Sequence, residues 1–149
     1  MKSFSHPLMD NNITNSDVST LISFLKNNKK KIFTQSTKVI EFEKKWSKWL
    51  GTKYSIFVNS GSSANLLTLQ ALGILYGKGE VIVPPLTWIS DIAAVIQNGF
   101  KPIFADINPN TLCMDEHEII KKINKKTKAV FITHVQGFNG LSNNLLKIL

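Results

Sequence analysis

Apolar and polar residues follow two different patterns along the chain, and the change lies about a third of the way along it. In the first part, apolar side chains recur every three or four positions, as in Val18, Leu21 and Leu25, which is the spacing of one helix face. A second run with this spacing stops at Gly51, a residue typical of a helix C-cap. The pattern predicts an N-terminal helical segment over residues 1–50, with two amphipathic helices.

In residues 51–149, short runs rich in β-branched residues alternate with helical runs. Such strand–helix–strand units, repeated about every 25 residues, are typical of parallel strands joined by crossover helices. The strands are nearly continuous in apolar residues, which indicates an α/β fold with a mostly parallel sheet and helices on both faces. The predicted strands are Tyr54–Val58, Glu80–Val83, Lys101–Ala105 and Lys128–Thr133, and the predicted helices are Ser62–Leu75, Trp88–Gln97 and Asp115–Ile123.

A turn of small residues, Asn59–Asn65, follows the first predicted strand, and ligands of an open parallel sheet bind at such carboxyl ends. A helix start has free backbone N–H groups and the positive end of the helix dipole, so it can bind an anion. Gly61 lets the backbone approach a phosphate, and the hydroxyls of Ser60, Ser62 and Ser63 can add donors. The alternative is that Ser62 merely caps the helix.

Trp88 follows a Pro-Pro turn at the end of the second predicted strand, where a flat aromatic side chain could cover a planar ligand. Trp46 and Trp49, by contrast, lie on an apolar helix face and are expected to pack. A phosphate-binding turn beside an aromatic residue describes a site for a phosphorylated planar heterocycle. His134 and Asp106 follow other strands, and the alternatives for them are a backbone hydrogen bond in a turn and a turn cap, respectively.

Composition narrows the class of protein. With 149 residues and 43% hydrophobic residues, the chain is long enough for one globular domain. The net charge of +8 raises nucleic acid as a partner, but all 18 basic residues are lysines, without the arginines that recognition surfaces favour. The single Cys113 excludes an internal disulfide framework and a multi-cysteine metal site. Since the first seven residues lack a signal-peptide core and no apolar run could span a membrane, we expect a cytoplasmic protein.

In their order and spacing, these segments resemble the DegT/DnrJ/StrS family of pyridoxal-phosphate-dependent sugar aminotransferases. The resemblance covers the chain from about Ile32 to Gly137. It implies the N-terminal half of the large domain of a type I pyridoxal-phosphate-dependent transferase. The segments that carry it are Val39–Glu43, Trp49–Gly51, Asn59–Ala64, Glu80–Trp88, Pro102–Ile107, Met114–Asp115 and Thr127–Val130.

The resemblance also implies an activity and the residues that support it. The turn Ser60–Ser63 would bind the phosphate of pyridoxal 5′-phosphate, Trp88 would stack on its ring, and His134 is a candidate substrate-binding residue. The family transfers an amino group from an amino acid, usually glutamate, to the keto group of a nucleotide-linked sugar. Its members act as homodimers with sites at the subunit interface.

Two departures from the family pattern limit what the resemblance implies. Thr34–Lys38 stands where the family has a Gly-Pro turn, so sugar-nucleotide contacts of that loop are in doubt. The lysine of the family's Schiff base would lie beyond Leu149, so we expect a truncated enzyme, inactive alone, with no catalytic residue in this chain. Three alternatives remain open: a family dehydratase, in which histidine replaces that lysine, a non-catalytic phosphate- or nucleotide-binding α/β module, and a lysine-rich nucleic-acid binder.

Overall fold

A computed structural model describes residues 12–29 and 32–149 of the chain. They form two compact units, of which the first ends at Phe57 and the second begins at Val58. The expectation of no signal peptide in the first seven residues lies outside the described ranges. Within those ranges, no helix is both long enough and apolar enough to cross a membrane.

The first unit contains two helices, α1 (Asn15–Asn27) and α2 (Thr37–Leu50), and both confirm the predicted pair. Helix α1 begins at Thr14, whose hydroxyl accepts a hydrogen bond from the Asp17 N–H at 3.2 Å. The Asp17 carboxylate accepts one in return from the Thr14 N–H at 2.8 Å, which completes a capping box. Helix α2 ends at Gly51 with φ 78°, the left-handed conformation expected of a C-cap glycine.

The aromatic side chains of α2 contact one another. The ring centroids of Trp46 and Trp49 lie 4.9 Å apart, and those of Phe42 and Trp46 lie 5.9 Å apart. Trp49 nevertheless remains 74% exposed, so the expected packing role is only partly realised within this unit.

The prediction of a first strand at Tyr54–Val58 is wrong. The segment is not part of any strand, because no described segment pairs with it, and an extended chain becomes a strand only when its backbone groups join a ladder. The Phe57 N–H instead donates to the Glu43 carboxylate at 2.8 Å, and Ile56 is 81% exposed. The apolar, β-branched composition favours a strand, but it does not supply the pairing partner that a strand requires.

The second unit is built on a three-stranded parallel sheet, which confirms the predicted class and three of the four predicted strands. The strand order is β2-β1-β3, so β1 is central. The strands are β1 (Glu80–Val83), β2 (Lys101–Phe104) and β3 (Thr127–Val130). The helices are α3 (Gly61–Tyr76), α4 (Ile89–Gln97), α5 (Glu116–Lys122) and α6 (Asn143–Ile148), with a short 3₁₀ turn at Val135–Gly137.

Helices cover both faces of this sheet, as the apolar strands predict. Strand β1 directs Val81 and Val83 to one face and Ile82 to the other, and all three are fully buried. The first face packs against Leu69 of α3 and Ala94 and Val95 of α4, with Phe100 from the segment before β2. The second face packs against Ile119 of α5 and Leu145 of α6, with Ala105 and Met114 from the segment between β2 and α5.

The path of the chain creates a crevice at the carboxyl ends of β1 and β3. The chain leaves β1 through α4 on the first face and then enters β2. It returns through α5 on the second face to reach β3, on the other side of β1. Neighbouring strands whose connections leave toward opposite faces leave a crevice between them, and open α/β sheets bind ligands there. The fold therefore directs the search for a site to the ends of β1 and β3.

Acid should weaken the contact between α5 and α6, because Glu116 accepts hydrogen bonds from the Ser142 hydroxyl and the Asn144 side-chain amide. These bonds hold the pKa of Glu116 below its ordinary value of 4.5. A carboxylate with a lowered folded-state pKa stabilises the fold fully above that ordinary value, and the contribution is lost as the pH falls through the folded-state pKa. Below pH 4.5, we therefore expect the Tm of the native chain to fall more steeply than that of Glu116→Gln. Thermal unfolding followed by circular dichroism checks this, and parallel pH profiles would contradict it.

Candidate functional site

An open cleft of about 330 Å³ lies at the carboxyl ends of β1 and β3. Its walls are the loop after β1, at Leu86–Trp88, and the loop after β3, at Thr133–Gln136. The cleft thus occupies the crevice that the strand order creates, and this is where a doubly wound sheet holds its ligands. Both loops were expected to face a ligand from their position after predicted strands.

The first unit has a second cleft of about 320 Å³, among Phe24, Phe33, Phe42 and Phe57. It is apolar, and Lys38 at its edge is paired with Glu41 at 2.8 Å. A phosphorylated ligand needs convergent polar donors, and besides the paired Lys38 the only polar side chain among the described residues that line this cleft is that of Ser36. The crevice of the second unit is the candidate site because it lies at the carboxyl ends of two parallel strands.

The start of α3 combines engaged and free hydrogen-bond donors. Ser60 is the N-cap, and its hydroxyl accepts from the Ser63 N–H at 3.1 Å. The Ser63 hydroxyl donates to the side-chain carbonyl of Asn59 at 2.7 Å. The alternative that Ser62 caps this helix is wrong, since Ser60 does so. Among the described residues, no hydrogen bond uses the N–H groups of Gly61 and Ser62 or the Ser62 hydroxyl, so these donors are free for an anion.

Open space lies in front of this turn. Apart from its chain neighbours and the backbone of its own helix, a Cβ atom added at Gly61 would meet no atom within 4 Å. The glycine is therefore not required by packing inside the chain. A residue without a side chain at this position keeps the free amides accessible to a ligand.

Trp88 begins the neighbouring helix. It is the N-cap of α4, it lines the cleft, and 79% of its surface is exposed. Within the described part of the chain, its indole makes no aromatic or cation contact. An exposed aromatic side chain at the mouth of a cleft can stack on a planar ligand without first breaking a packed core.

A side-chain hydrogen bond joins the starts of α3 and α4. The amide of Asn65 donates to the carboxylate of Asp91 at 2.7 Å. Asn65 lies four residues after Gly61, and Asp91 lies three residues after Trp88, so each is about one helical turn, or about 5 Å, from its helix start. The first turns of α3 and α4 are therefore in contact, although the serines do not line the cleft itself.

Sequence reasoning missed Asp91 and its partners. Asp91 is only 7% exposed, and its second carboxylate oxygen accepts a hydrogen bond from the Thr87 hydroxyl. The Thr133 hydroxyl lies 2.8 Å from that of Thr87 across the crevice and 3.5 Å from the same carboxylate oxygen. Because the single hydroxyl proton of Thr87 goes to Asp91, Thr133 is the donor in its bond with Thr87. The position of Asp91 in the sequence was a signal that could have identified it. An acidic side chain in the first turn of a helix is stabilised by the helix dipole, and in an apolar helix it is buried and needs hydrogen-bond partners.

His134 has two features that relate to the cleft. Its Nδ1 accepts a hydrogen bond from the Gly140 N–H at 3.1 Å, which matches its interpretation as a turn histidine. Its ring also lines the cleft. Because Nδ1 accepts from a fixed backbone donor, the proton of the neutral ring is on Nε2, which can donate to a ligand.

Two other residues considered from the sequence lie outside the cleft. The Asp106 carboxylate accepts from the adjacent Ile107 N–H at 2.7 Å, so it serves the turn after β2. Cys113 is buried, and its thiol donates to the Phe138 carbonyl at 3.3 Å, which is the behaviour of a packing residue.

Comparisons with known proteins agree with this geometry. The sequence model of the DegT/DnrJ/EryC1/StrS aminotransferase family matches residues 12–147. The GDP-perosamine synthase of Vibrio cholerae is 38% identical over 96 residues, which are 64% of this chain and 26% of that protein. The 3-oxo-glucose-6-phosphate:glutamate aminotransferase of Bacillus subtilis (strain 168) is 36% identical over 133 residues, which are 87% of this chain and 29% of that protein.

The fold has close counterparts among solved structures. The E. coli GDP-4-keto-6-deoxy-D-mannose-3-dehydratase with bound hydrated PLP superposes with a TM-score of 0.76 at 32% identity, over 86% of this chain and 33% of that chain. The chain therefore spans between about a quarter and a third of the length of the proteins it matches.

Proposed function

Because this chain belongs to the DegT/DnrJ/EryC1/StrS aminotransferase family, we propose that it binds pyridoxal 5′-phosphate at the crevice between β1 and β3. The proposed reaction transfers an amino group from an amino acid, with glutamate as the expected donor, to the keto group of a nucleotide-linked sugar. The observation that carries the proposal is the hydrogen bond from Asn65 to Asp91, which holds a free helix start beside an exposed tryptophan.

The residues at the crevice fit the chemistry of this cofactor. Its phosphate is a dianion, and the free N–H groups of Gly61 and Ser62 with the Ser62 hydroxyl are donors at the positive end of α3. Its pyridine ring is planar and aromatic, and Trp88 offers an exposed indole at the start of α4, whose first turn is bonded to that of α3. These two anchors would orient the cofactor, and the indole would exclude water from one face of the ring.

When bound, pyridoxal phosphate supplies the electron sink for the amino-transfer chemistry. The described residues contribute binding and orientation. The Nε2–H of His134 is a donor that could hold a substrate oxygen at the cleft. Since no lysine is among the residues that line the cleft, we propose that these residues by themselves do not turn over a sugar substrate.

Family membership supports two further parts of the proposal. The first is that the protein acts as a homodimer. The second is that it acts in the cytoplasm on nucleotide-linked sugars, and not on nucleic acid or a membrane. A sugar dehydratase of the same family is the second candidate, because a solved structure at 32% identity is such an enzyme. The product separates the two functions. An aminotransferase yields an amino sugar, and a dehydratase yields a sugar that has lost a hydroxyl.

Replacing Trp88 with alanine tests the proposed site. Stacking of an aromatic pair contributes roughly 0.5–1.5 kcal/mol, so we expect affinity for pyridoxal phosphate to fall about three- to tenfold. The fold should be unaffected because this side chain is 79% exposed. Equilibrium dialysis measures the affinity without relying on tryptophan fluorescence, and pyridoxal without its phosphate should bind the native chain more weakly.

Trp49→Ala is the matched control, because Trp49 is 74% exposed and belongs to the first unit. Its affinity for the cofactor should equal that of the native chain. Equal binding by Trp88→Ala and the native chain would remove Trp88 from the site. Preference for a mononucleotide over pyridoxal phosphate would favour a non-catalytic binding module instead.

A further inference from the structure

Asp91 is a charged residue in an environment where charged residues are rare. It lies in the first turn of α4 with 7% of its surface exposed, and Asp is seldom so buried unless its charge is compensated. Within the described part of the chain, no lysine or histidine forms an ion pair with it. Its charge is compensated by neutral hydrogen-bond donors and by the positive end of the helix dipole.

These donors come from three different elements around the crevice. Asn65 belongs to α3, Thr87 to the loop after β1, and Thr133 to the segment after β3. Both carboxylate oxygens are used. One accepts from Asn65 at 2.7 Å and from the Ser90 hydroxyl of α4 at 3.4 Å, and the other accepts from Thr87, which is bonded in turn to Thr133. A single side chain therefore connects every element that contributes to the proposed cofactor site.

Apolar packing alone does not impose this geometry. Helices α3 and α4 pack on the same face of the sheet through side chains such as Leu69 and Val95, and dispersion contacts are non-directional. Hydrogen bonds have a narrow range of lengths and angles. The bond from Asn65 therefore sets how far the two helix starts are offset, and the bond between Thr87 and Thr133 sets the width of the crevice.

We propose that Asp91 is a positioning residue, which holds the free amides at the start of α3 at the spacing from Trp88 that one cofactor molecule requires. This inference rests on the proposed function, because the spacing matters only if phosphate and ring bind together. Asp91 itself touches neither group. It acts through Asn65 on the serine turn and through the first turn of α4 on Trp88.

The isosteric variant Asp91→Asn tests this role. It keeps the volume of the side chain but replaces one of the two acceptor oxygens with an NH₂ donor. That donor would face another donor, either the amide of Asn65 or a threonine hydroxyl, so a hydrogen bond would be lost. We expect the affinity for pyridoxal phosphate to fall about tenfold or more, since hydrogen bonds to a charged group are among the stronger ones. Asn65→Ala should reproduce part of this loss, and it serves as the second variant if Asp91→Asn does not fold.

A positioning role also predicts coupling with Trp88, which a merely structural role does not. In the native background, Trp88→Ala weakens cofactor binding about three- to tenfold. In the Asp91→Asn background, the indole is no longer held over the ring, so the same substitution should change the affinity by less than about twofold. Fully additive effects would overturn the proposal.

Asp115→Asn is the control. Asp115 is also a carboxylate at a helix start, where it accepts from the His117 N–H at 2.9 Å, but its helix covers the other face of the sheet. It should lower Tm without changing cofactor affinity. If Asp91→Asn likewise lowers Tm and leaves affinity unchanged, Asp91 has no positioning role.

A readout without cofactor separates failure of this inference from failure of the proposed function. If the native chain binds no pyridoxal phosphate, the proposed function fails, but amide hydrogen exchange still reports on the positions of the helix starts. Asp91→Asn should speed exchange at Ala64, whose N–H bonds to the Ser60 carbonyl at 3.1 Å, and in the first turn of α4. Asp115→Asn should change neither. Unchanged exchange in Asp91→Asn would overturn the inference.

Discussion

Replacing Gly61 with alanine should weaken the binding of pyridoxal phosphate by about ten- to a hundredfold while the fold remains intact. Apart from its chain neighbours and the backbone of its own helix, an added Cβ meets no atom within 4 Å, so the substitution introduces no clash in the absence of a ligand. It does add a methyl group beside the free amides at the start of α3, where the proposed phosphate would approach. Forcing a methyl group into a filled site costs about 1–3 kcal/mol, which corresponds to the expected loss of affinity.

Gly73→Ala is the matched control because it makes the same change in the same helix. The nearest atoms to a Cβ there belong to the flexible end of Lys78, which would have to leave its position 4.9 Å from the centroid of the Phe100 ring. Gly61→Ala should leave the free energy of unfolding unchanged or slightly higher, since alanine is the better helix former, and in Gly73→Ala the lost contact of Lys78 offsets that gain. Only Gly61→Ala should reduce cofactor affinity in equilibrium dialysis. If both variants bind as tightly as the native chain, the phosphate does not lie against this turn.

Replacing Ile82 with alanine should lower the free energy of unfolding by about 2–5 kcal/mol, the usual range for such a truncation in a packed core. Ile82 lies in the central strand, is fully buried, and packs against Ile119 of α5 and Leu145 of α6. Truncation removes these contacts and leaves a cavity that the sheet cannot close, because β1 is held on both sides by neighbouring strands.

Urea unfolding followed by circular dichroism measures this loss. Ile74→Ala is the control, since Ile74 is 77% exposed on α3 and its truncation should change stability by less than about 0.5 kcal/mol. Equal effects of the two substitutions would mean that α5 and α6 do not cover the second face of the sheet.

Local patterns predict helices α1 to α5 and three of the four strands correctly, whereas α6 was not predicted. The runs of apolar residues in β1 and the helical spacing of α1 and α2 reflect burial, which is recorded in the order of residues along the chain. The capping role of Gly51 follows in the same way from its own backbone freedom. Tyr54–Val58 shows where this reasoning stops, because its sequence favours a strand but pairing depends on a partner elsewhere.

The candidate site, like the fold, could be predicted from the sequence only in part. Trp88 was identifiable because it follows β1, and parallel sheets bind ligands at the carboxyl ends of their strands. Gly61 and Ser62 were identifiable from the run of small residues at a predicted helix start, although the strand predicted before them is absent. The sequence did not show which serine takes which role. The hydroxyls of Ser60 and Ser63 form hydrogen bonds within the turn, and that of Ser62 does not. Which hydroxyl is engaged depends on the backbone conformation of the turn, and several serines in sequence are compatible with more than one arrangement.

By itself, the sequence determined the class of fold and the segments that meet at the end of the sheet, because hydrophobic periodicity and turn residues act over a few neighbouring positions. Only the tertiary structure decided that β1 is central, that the crevice lies between β1 and β3, and that Asp91 joins Asn65, Thr87 and Thr133. Apart from the bond between Thr87 and Asp91, which are four positions apart, those features depend on residues that are distant along the chain. Glu80 pairs with Lys101 and Val81 with Ala129, and the side-chain bonds across the crevice join residues 26 and 46 positions apart. No local pattern specifies such pairs.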